Sequence, residues 1–102
     1  MNYMNRNIYK KDILYCLCLC EKEIEERKKG IQGESNLTQL EQIIIPELKQ
    51  LMKIIDEGKL PPQTERYLLS FANAFTVWGW DMKNPTDLFL QLTKLNNNYK
   101  YI

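Results

Sequence analysis

The chain has 102 residues, of which 44% are hydrophobic and 26% are charged, as is ordinary for one globular domain. Its 14 basic and 13 acidic residues leave a formal net charge of +1, which argues against the strongly basic surface that nucleic-acid binding requires. Histidine is absent, so the commonest general base and the commonest metal ligand are both missing. We therefore expect one domain, residues 1–102, with no cofactor and no metal.

The cysteines lie close together in the sequence, at Cys16, Cys18 and Cys20. An odd number at this spacing cannot form a spaced disulfide framework, which favours a reducing cytoplasm. The apolar run at residues 13–20 is far shorter than the roughly 20 residues that span a bilayer. Neither a membrane anchor nor a secretory leader is therefore expected. Abundant Asn, Lys and Ile are typical of an AT-rich bacterial or phage genome.

The first predicted helix runs from about residue 8 to residue 29 and follows a polar end, residues 1–7, that is predicted to fray. Ile8, Tyr15 and Leu19 lie nearly opposite its main apolar stripe. The first half of the helix is therefore apolar almost all round. Such a helix is either sandwiched between neighbours or presents an apolar patch to a partner.

The second predicted helix covers residues 36–57. Asn36 caps its start, and Gln39 occupies the capping-box position three residues later. Pro46 lies inside the run, where it removes a backbone hydrogen bond and predicts a kink. The apolar phase continues across the proline, so we predict one kinked helix that ends at Gly58.

The third predicted helix, residues 63–78, is the most apolar part of the chain. Its large side chains, aromatic ones among them, fill a wide arc on a helical wheel and leave only a narrow polar strip. We expect an interior rod that dominates the core and that stops at Gly79. The polar strip consists of Arg66, Ser70 and Asn73, which is either an exposed edge or a half-buried network able to hydrogen-bond a partner.

The fourth predicted helix covers residues 85–98. Asn84 is its expected cap, Pro85 its first residue and Asp87 an acid in its first turn. Short links between these segments imply antiparallel neighbours. The sequence therefore predicts an all-α, compact four-helix bundle with helices at about 8–29, 36–57, 63–78 and 85–98.

Candidate binding residues fall into three groups, each with a plain structural alternative. An acidic run on the first helix is either a solvated face or a surface that attracts a basic partner. Trp80 follows the helix stop and is either core or an exposed interface anchor. The candidate protein-binding residues are Glu21, Glu23, Glu25, Glu26, Arg66, Ser70, Asn73 and Trp80, and the candidate apolar interface is Ile8, Tyr15 and Leu19.

Size, balanced charge and surplus apolar faces favour a non-catalytic protein that binds another protein. In size and overall character, including the stretch PPQTERYLLSFANAFTVWGWD, the chain resembles the small helical immunity proteins with which bacteria neutralise toxins. The resemblance implies that a rigid bundle covers the active site of a toxin or blocks a rearrangement in it. It assigns no particular functional residue.

Three other functions stay open from the sequence. The protein could be a small regulatory or phage-encoded protein that acts on nucleic acid or its machinery, although the net charge makes direct binding unexpected. It could be a small enzyme that uses Cys18 or a carboxylate. It could also form a homodimer through Ile8, Tyr15 and Leu19.

Overall fold

Four α-helices and shorter helical turns make up most of the computed structural model, which describes residues 5–102. No strand occurs in that range, so the predicted all-α four-helix bundle is confirmed. The radius of gyration is 13.7 Å, close to the roughly 13 Å of a compact chain of this length. The helices are α1 (Arg6–Lys28), α2 (Ile45–Asp56), α3 (Leu69–Thr76) and α4 (Asp87–Asn98), with a π-helical segment at Gln39–Ile44 and 3₁₀ turns at Gln63–Glu65 and Tyr99–Tyr101.

Helix α1 begins two residues earlier than predicted. The side chain of Asn5 caps it by accepting the N–H of Asn7, at 2.7 Å. Residues 1–4 of the predicted frayed end lie outside the described range, whereas residues 6 and 7 are already helical. The helix ends before Gly30, whose φ of 83° only glycine adopts without strain.

The capping box predicted at the start of the second helix is present. Asn36 Oδ1 accepts the N–H of Gln39 at 2.7 Å, and Gln39 Oε1 accepts the N–H of Asn36 at 3.1 Å. The chain then stays helical from residue 37 to residue 56, across Pro46. Just before the proline the turns are π-helical, and the N–H of Ile45 donates to the carbonyl of Leu40, five residues back. We interpret this wider turn as the local adjustment to the proline ring, which would otherwise press on the preceding turn.

The third helix is much shorter than predicted. Instead of residues 63–78, only Leu69–Thr76 are α-helical, and Arg66 and Leu68 are extended. Two hydrogen bonds made by this segment, one local and one to α4, explain the difference. The N–H of Leu68 donates to Asn96 Oδ1 on α4 at 2.8 Å, and the guanidinium Nε of Arg66 donates to the carbonyl of Pro61 at 2.8 Å. These bonds hold the segment extended until α3 begins.

Helix α4 also starts later than predicted, at residue 87 rather than 85. Its cap is Thr86, whose Oγ1 accepts the N–H of Phe89 at 3.1 Å, and not Asn84. The N–H of Asn84 instead donates to Asp81 Oδ1 at 3.1 Å, so the chain is still turning at that point.

Helix α1, not α3, lies at the centre of the bundle. It packs against both α2 and α4, whereas α3 packs against α4. The prediction that the third helix is an interior rod is therefore wrong. Because α3 is short and lies at the edge, Phe75 is 47% exposed. The buried apolar core consists of Tyr9, Ile13, Cys16, Cys20, Leu40, Ile44, Leu48, Leu51, Ile55, Leu68, Ala74, Trp80, Leu88, Phe89, Leu92, Leu95, Tyr99 and Ile102.

One polar group in this core is fully satisfied. The hydroxyl of Tyr9 on α1 donates to the carbonyl of Leu95 on α4 at 2.7 Å. Burial, followed by the neighbouring Tyr99 and Glu47, raises the pKa of Tyr9 above its ordinary value, so this hydroxyl keeps its proton. The bond fixes the register between the two central helices.

Candidate protein-binding surfaces

An open apolar groove lies between α3 and α4. We define the α3–α4 groove by its lining, which is Phe71, Phe75, Met82, Pro85, Phe89, Leu90 and Thr93. Its volume is about 200 Å³. That is below the roughly 300–1,000 Å³ of small-molecule sites, so its size suits one or two protruding side chains of a protein better than a cofactor.

Aromatic rings in tilted contact form the floor of the groove. The ring centroid of Phe71 lies 5.9 Å from that of Phe75 and 6.2 Å from that of Phe89. Phe89 is buried in the core, whereas Phe75 reaches the surface. Aromatic pairs at these separations attract each other beyond the effect of burial, so the rings of the floor support one another.

The rim of the groove is held in place by the link between α3 and α4. Asp81 Oδ1 accepts the N–H of Lys83 at 2.8 Å, which forms a tight turn around the exposed Met82. On α4, Leu90 is 53% exposed. The one hydroxyl in the lining, that of Thr93, donates to the carbonyl of Phe89 at 2.8 Å and so is occupied within its own helix. The groove therefore offers almost no polar contacts.

The predicted polar strip does not exist as one surface. Arg66 precedes α3 and donates through Nη1 to an oxygen of Ile102, at 2.9 Å. Ser70 is fully buried, and its N–H donates to Glu47 Oε1 at 2.8 Å. Asn73 is half-buried on α3. The prediction of the strip required a continuous helix from residue 63, which would place Arg66 on the same face as Ser70 and Asn73. The extended segment before α3 takes Arg66 off that face.

Trp80 is not an exposed interface anchor. It is 4% exposed, and its ring meets the edge of Phe89 at a centroid distance of 5.6 Å. The link folds back because the backbone N–H of Trp80 donates to the carbonyl of Ala74 at 3.0 Å, while Gly79 takes a φ of 66°. The indole Nε1 of Trp80 is buried without an acceptor among the described residues. Trp80 thus belongs to the core, which was the structural alternative, and its ring packs against Phe89, one of the residues that line the groove.

The acidic run on α1 divides between the surface and an internal network. Glu21 and Glu25 are exposed, and Glu26 is partly exposed. Glu23 instead accepts hydrogen bonds from Ser35 Oγ and from Arg27 Nη2, the latter at 3.3 Å.

Arg27 ties the loop after α1 to the helix. Its Nε donates to the carbonyl of Ser35 at 2.6 Å, and its Nη1 donates to the carbonyl of Ile31 at 3.2 Å. The guanidinium lies so close to Gly33 that a Cβ there would come within 1.8 Å of Nη2. Glu23 therefore serves the fold, and three of the four candidate glutamates remain accessible at the surface.

The predicted apolar interface on α1 is partly exposed. Ile8 and Tyr15 are 51% and 54% exposed, and both lie away from the core. Leu19 is half-buried and packs against the core. The two alternatives predicted for this helix, sandwiching between neighbours and an exposed apolar patch, therefore both hold. Helix α1 packs against α2 and α4 and also presents apolar side chains to solvent.

The thiols differ in environment. Cys16 and Cys20 are buried and Cys18 is exposed. The hydrogen bond that the Cys16 thiol donates to Cys20, together with burial, raises the pKa of Cys16. Within residues 5–102, no three side chains of His, Cys, Asp or Glu are grouped so as to hold a metal ion. In that same range, none of the helices combines the length and the apolar character needed to cross a membrane.

Comparisons of the chain with protein-family models, with curated proteins and with solved structures each found no match.

Sequence reasoning missed the α3–α4 groove. Met82 and Pro85 come from a link that has no periodic pattern, and the predicted interior rod at residues 63–78 places its aromatic side chains, Phe75 among them, in the core. The one available signal was Leu90, which points away from the apolar stripe of its helix. An apolar residue off the stripe of an amphipathic helix is a reason to look for a second contact surface.

Proposed function

We propose that the protein is a non-catalytic protein-binding module of the immunity or antitoxin type, which neutralises a toxin by covering it. The observation that supports this most is the α3–α4 groove. It is apolar, concave and open, and aromatic rings in mutual contact form its floor. An open apolar surface of this kind is typical of a protein interface.

The mechanism would be occlusion. A partner places apolar side chains between Phe75 and Leu90, and the bundle then blocks access to the toxin's active site. The groove suits this role because its walls are fixed on both sides, by the cap that Glu47 provides for α3 and by the turn at Asp81. A surface that is already ordered loses little conformational entropy on binding. The immunity assignment itself comes from the overall character of the sequence, and we propose a cytoplasmic location with it.

The test is recovery of a partner from the native host. The tagged protein is expressed there at its native level and purified, and co-purifying proteins are identified by mass spectrometry. A toxin reading frame next to the gene supplies a direct candidate, and expression of the protein should then protect cells challenged with that toxin. Failure to recover a partner, together with no protection, would count decisively against the proposal.

A homodimer is a second proposal, and a separate observation favours it. Ile8 and Tyr15 lie on the same side of α1 and are both about half exposed. Two copies could bury this side against each other. Tyr15→Glu should then yield monomers in light scattering where the unaltered protein gives dimers. Leu19→Glu is a poorer probe because Leu19 also packs against the core.

A further inference from the structure

A second concavity lies beside the second half of α1. We define the α1–α4 cleft as the space between the second half of α1, the loop at residues 31–34 and the start of α4. Its volume is about 280 Å³. Leu19 and Ile31 are its apolar lining, and Ile31 is 52% exposed. The remainder of its lining is mostly charged.

The charges in the α1–α4 cleft do not cancel. Four carboxylates line it, at Glu23, Glu26, Glu34 and Asp87, against two cations, at Lys22 and Arg27. Arg27 is shared between two of the carboxylates. Its Nη2 lies 3.3 Å from Glu23 Oε1, with both side chains less than 15% exposed, and its Nη1 lies 3.9 Å from Glu26 Oε1. Over the whole lining, the cleft carries an excess of two negative charges (four minus two).

Glu34 adds an observation that does not depend on this count. Its Oε2 accepts the N–H of Asp81 at 2.7 Å, which ties the loop to the link before α4. Its Oε1 is shielded from solvent and receives no hydrogen bond from the described residues. A buried carboxylate oxygen without a donor is costly, and a positive charge placed in the cleft would offset part of that cost through its electrostatic attraction.

We propose that the α1–α4 cleft receives a lysine or arginine side chain of the protein partner. The aliphatic stem of such a residue packs on Leu19 and Ile31, while its cationic head faces Glu26, Glu34 and Asp87. Excess negative charge beside apolar walls is complementary to this kind of side chain and not to an acidic or purely apolar one. The inference rests on the proposed function, and it specifies a basic residue on the partner's contact surface.

The test does not require the partner. N-acetyl-arginine methylamide is titrated into the isotope-labelled protein at low salt, and amide shifts are followed by NMR. Saturable shifts are expected at Ile31, Glu34 and Asp87. The citrulline analogue has the same shape and no charge, so it should produce much smaller shifts.

Two matched variants make the test decisive. Glu26→Gln removes a carboxylate of the cleft, and Glu41→Gln removes an exposed carboxylate on the π-helical segment. Glu26→Gln should weaken binding of the arginine probe about two- to fivefold, as is typical for an exposed charge pair, and Glu41→Gln should not. Thermal melts confirm that both variants are folded.

Equal responses to arginine and citrulline, or equal effects of the two variants, would overturn the inference. So would shifts spread along Glu21 and Glu25 without saturation. Any of these results leaves the proposed function intact if a partner still binds at the α3–α4 groove. If no partner binds but the arginine titration gives the expected saturable shifts, the proposed function falls and the cleft's preference for a basic side chain stands.

Discussion

The carboxylate of Glu47 on α2 accepts the N–H of Ser70 on α3, with 2.8 Å between Oε1 and the nitrogen. Its other oxygen, Oε2, accepts the N–H of Leu69 at 2.6 Å. These are two of the N–H groups that an α-helix leaves without an internal partner at its start. The cap residue itself, Leu68, has no side-chain acceptor, so a residue 21 positions earlier in the sequence takes over its role.

Removal of this cap should destabilise the protein. Glu47→Ala leaves two N–H groups of α3 without their acceptor, and we expect the free energy of unfolding to fall by about 1–2 kcal/mol. Urea denaturation followed by circular dichroism measures it. Glu41→Ala, an exposed glutamate earlier in the same helical run, is the control and should change stability by less than about 0.5 kcal/mol. Equal losses in both variants would show that Glu47 does not act as a cap.

Truncation of Trp80 and truncation of Phe75 should lower the free energy of unfolding by very different amounts. Trp80→Ala removes a buried ring from beneath the groove and should cost about 3–5 kcal/mol of unfolding free energy. Phe75→Ala removes a ring that is already half in solvent and should cost well under half of that. Similar losses in the two variants, measured by thermal or urea denaturation, would contradict the assignment of Trp80 to the core.

A double-mutant cycle tests the contact between Gly33 and Arg27. Gly33→Ala places a methyl group where the guanidinium lies, although the backbone at this position suits any residue. The guanidinium must move and gives up hydrogen bonds to Ser35, at an expected cost of about 1–3 kcal/mol. In an Arg27→Ala background the same substitution should cost close to nothing. Additive effects would mean that the contact does not hold the loop.

The thiols should react in two classes. One thiol, that of Cys18, should react rapidly with a disulfide reagent in the native protein at neutral pH. Cys16 and Cys20 should react only on unfolding, because they are buried and the raised pKa of Cys16 keeps it from forming the reactive thiolate. Cys18→Ser should abolish the fast phase. A fast phase that persists in this variant would show that a second thiol is accessible.

Local chemistry allowed parts of the fold to be predicted. The capping box at Asn36 and Gln39 involves residues three apart, and the continuous apolar phase across Pro46 reports one helix whatever lies around it. Helix α3 could not be delimited in the same way. Its start depends on Glu47 and Asn96, which are distant in the sequence, and its intrinsic helical pattern before Leu69 is overridden by those bonds.

The binding surface was less predictable than the fold. The exposure of Phe75 follows from the position of a short helix at the edge of the bundle, which periodicity does not report. The α1–α4 cleft depends on the folding of the loop after α1, and only the geometry shows that Arg27 lies between Glu23, which is mostly buried, and Glu26, which stays partly exposed.

The central claim is that the α3–α4 groove binds the protein partner, and one pair of variants tests it most directly. Leu90 in the groove and Leu14 on α1 are exposed to nearly the same extent, 53% and 54%. Each is replaced by aspartate, and the affinity for the recovered partner is measured by calorimetry. Leu90→Asp should weaken binding more than about tenfold, because a charge then enters an apolar contact, and Leu14→Asp should change it less than about twofold. Undiminished binding by Leu90→Asp, or an equal loss in both variants, would contradict the claim.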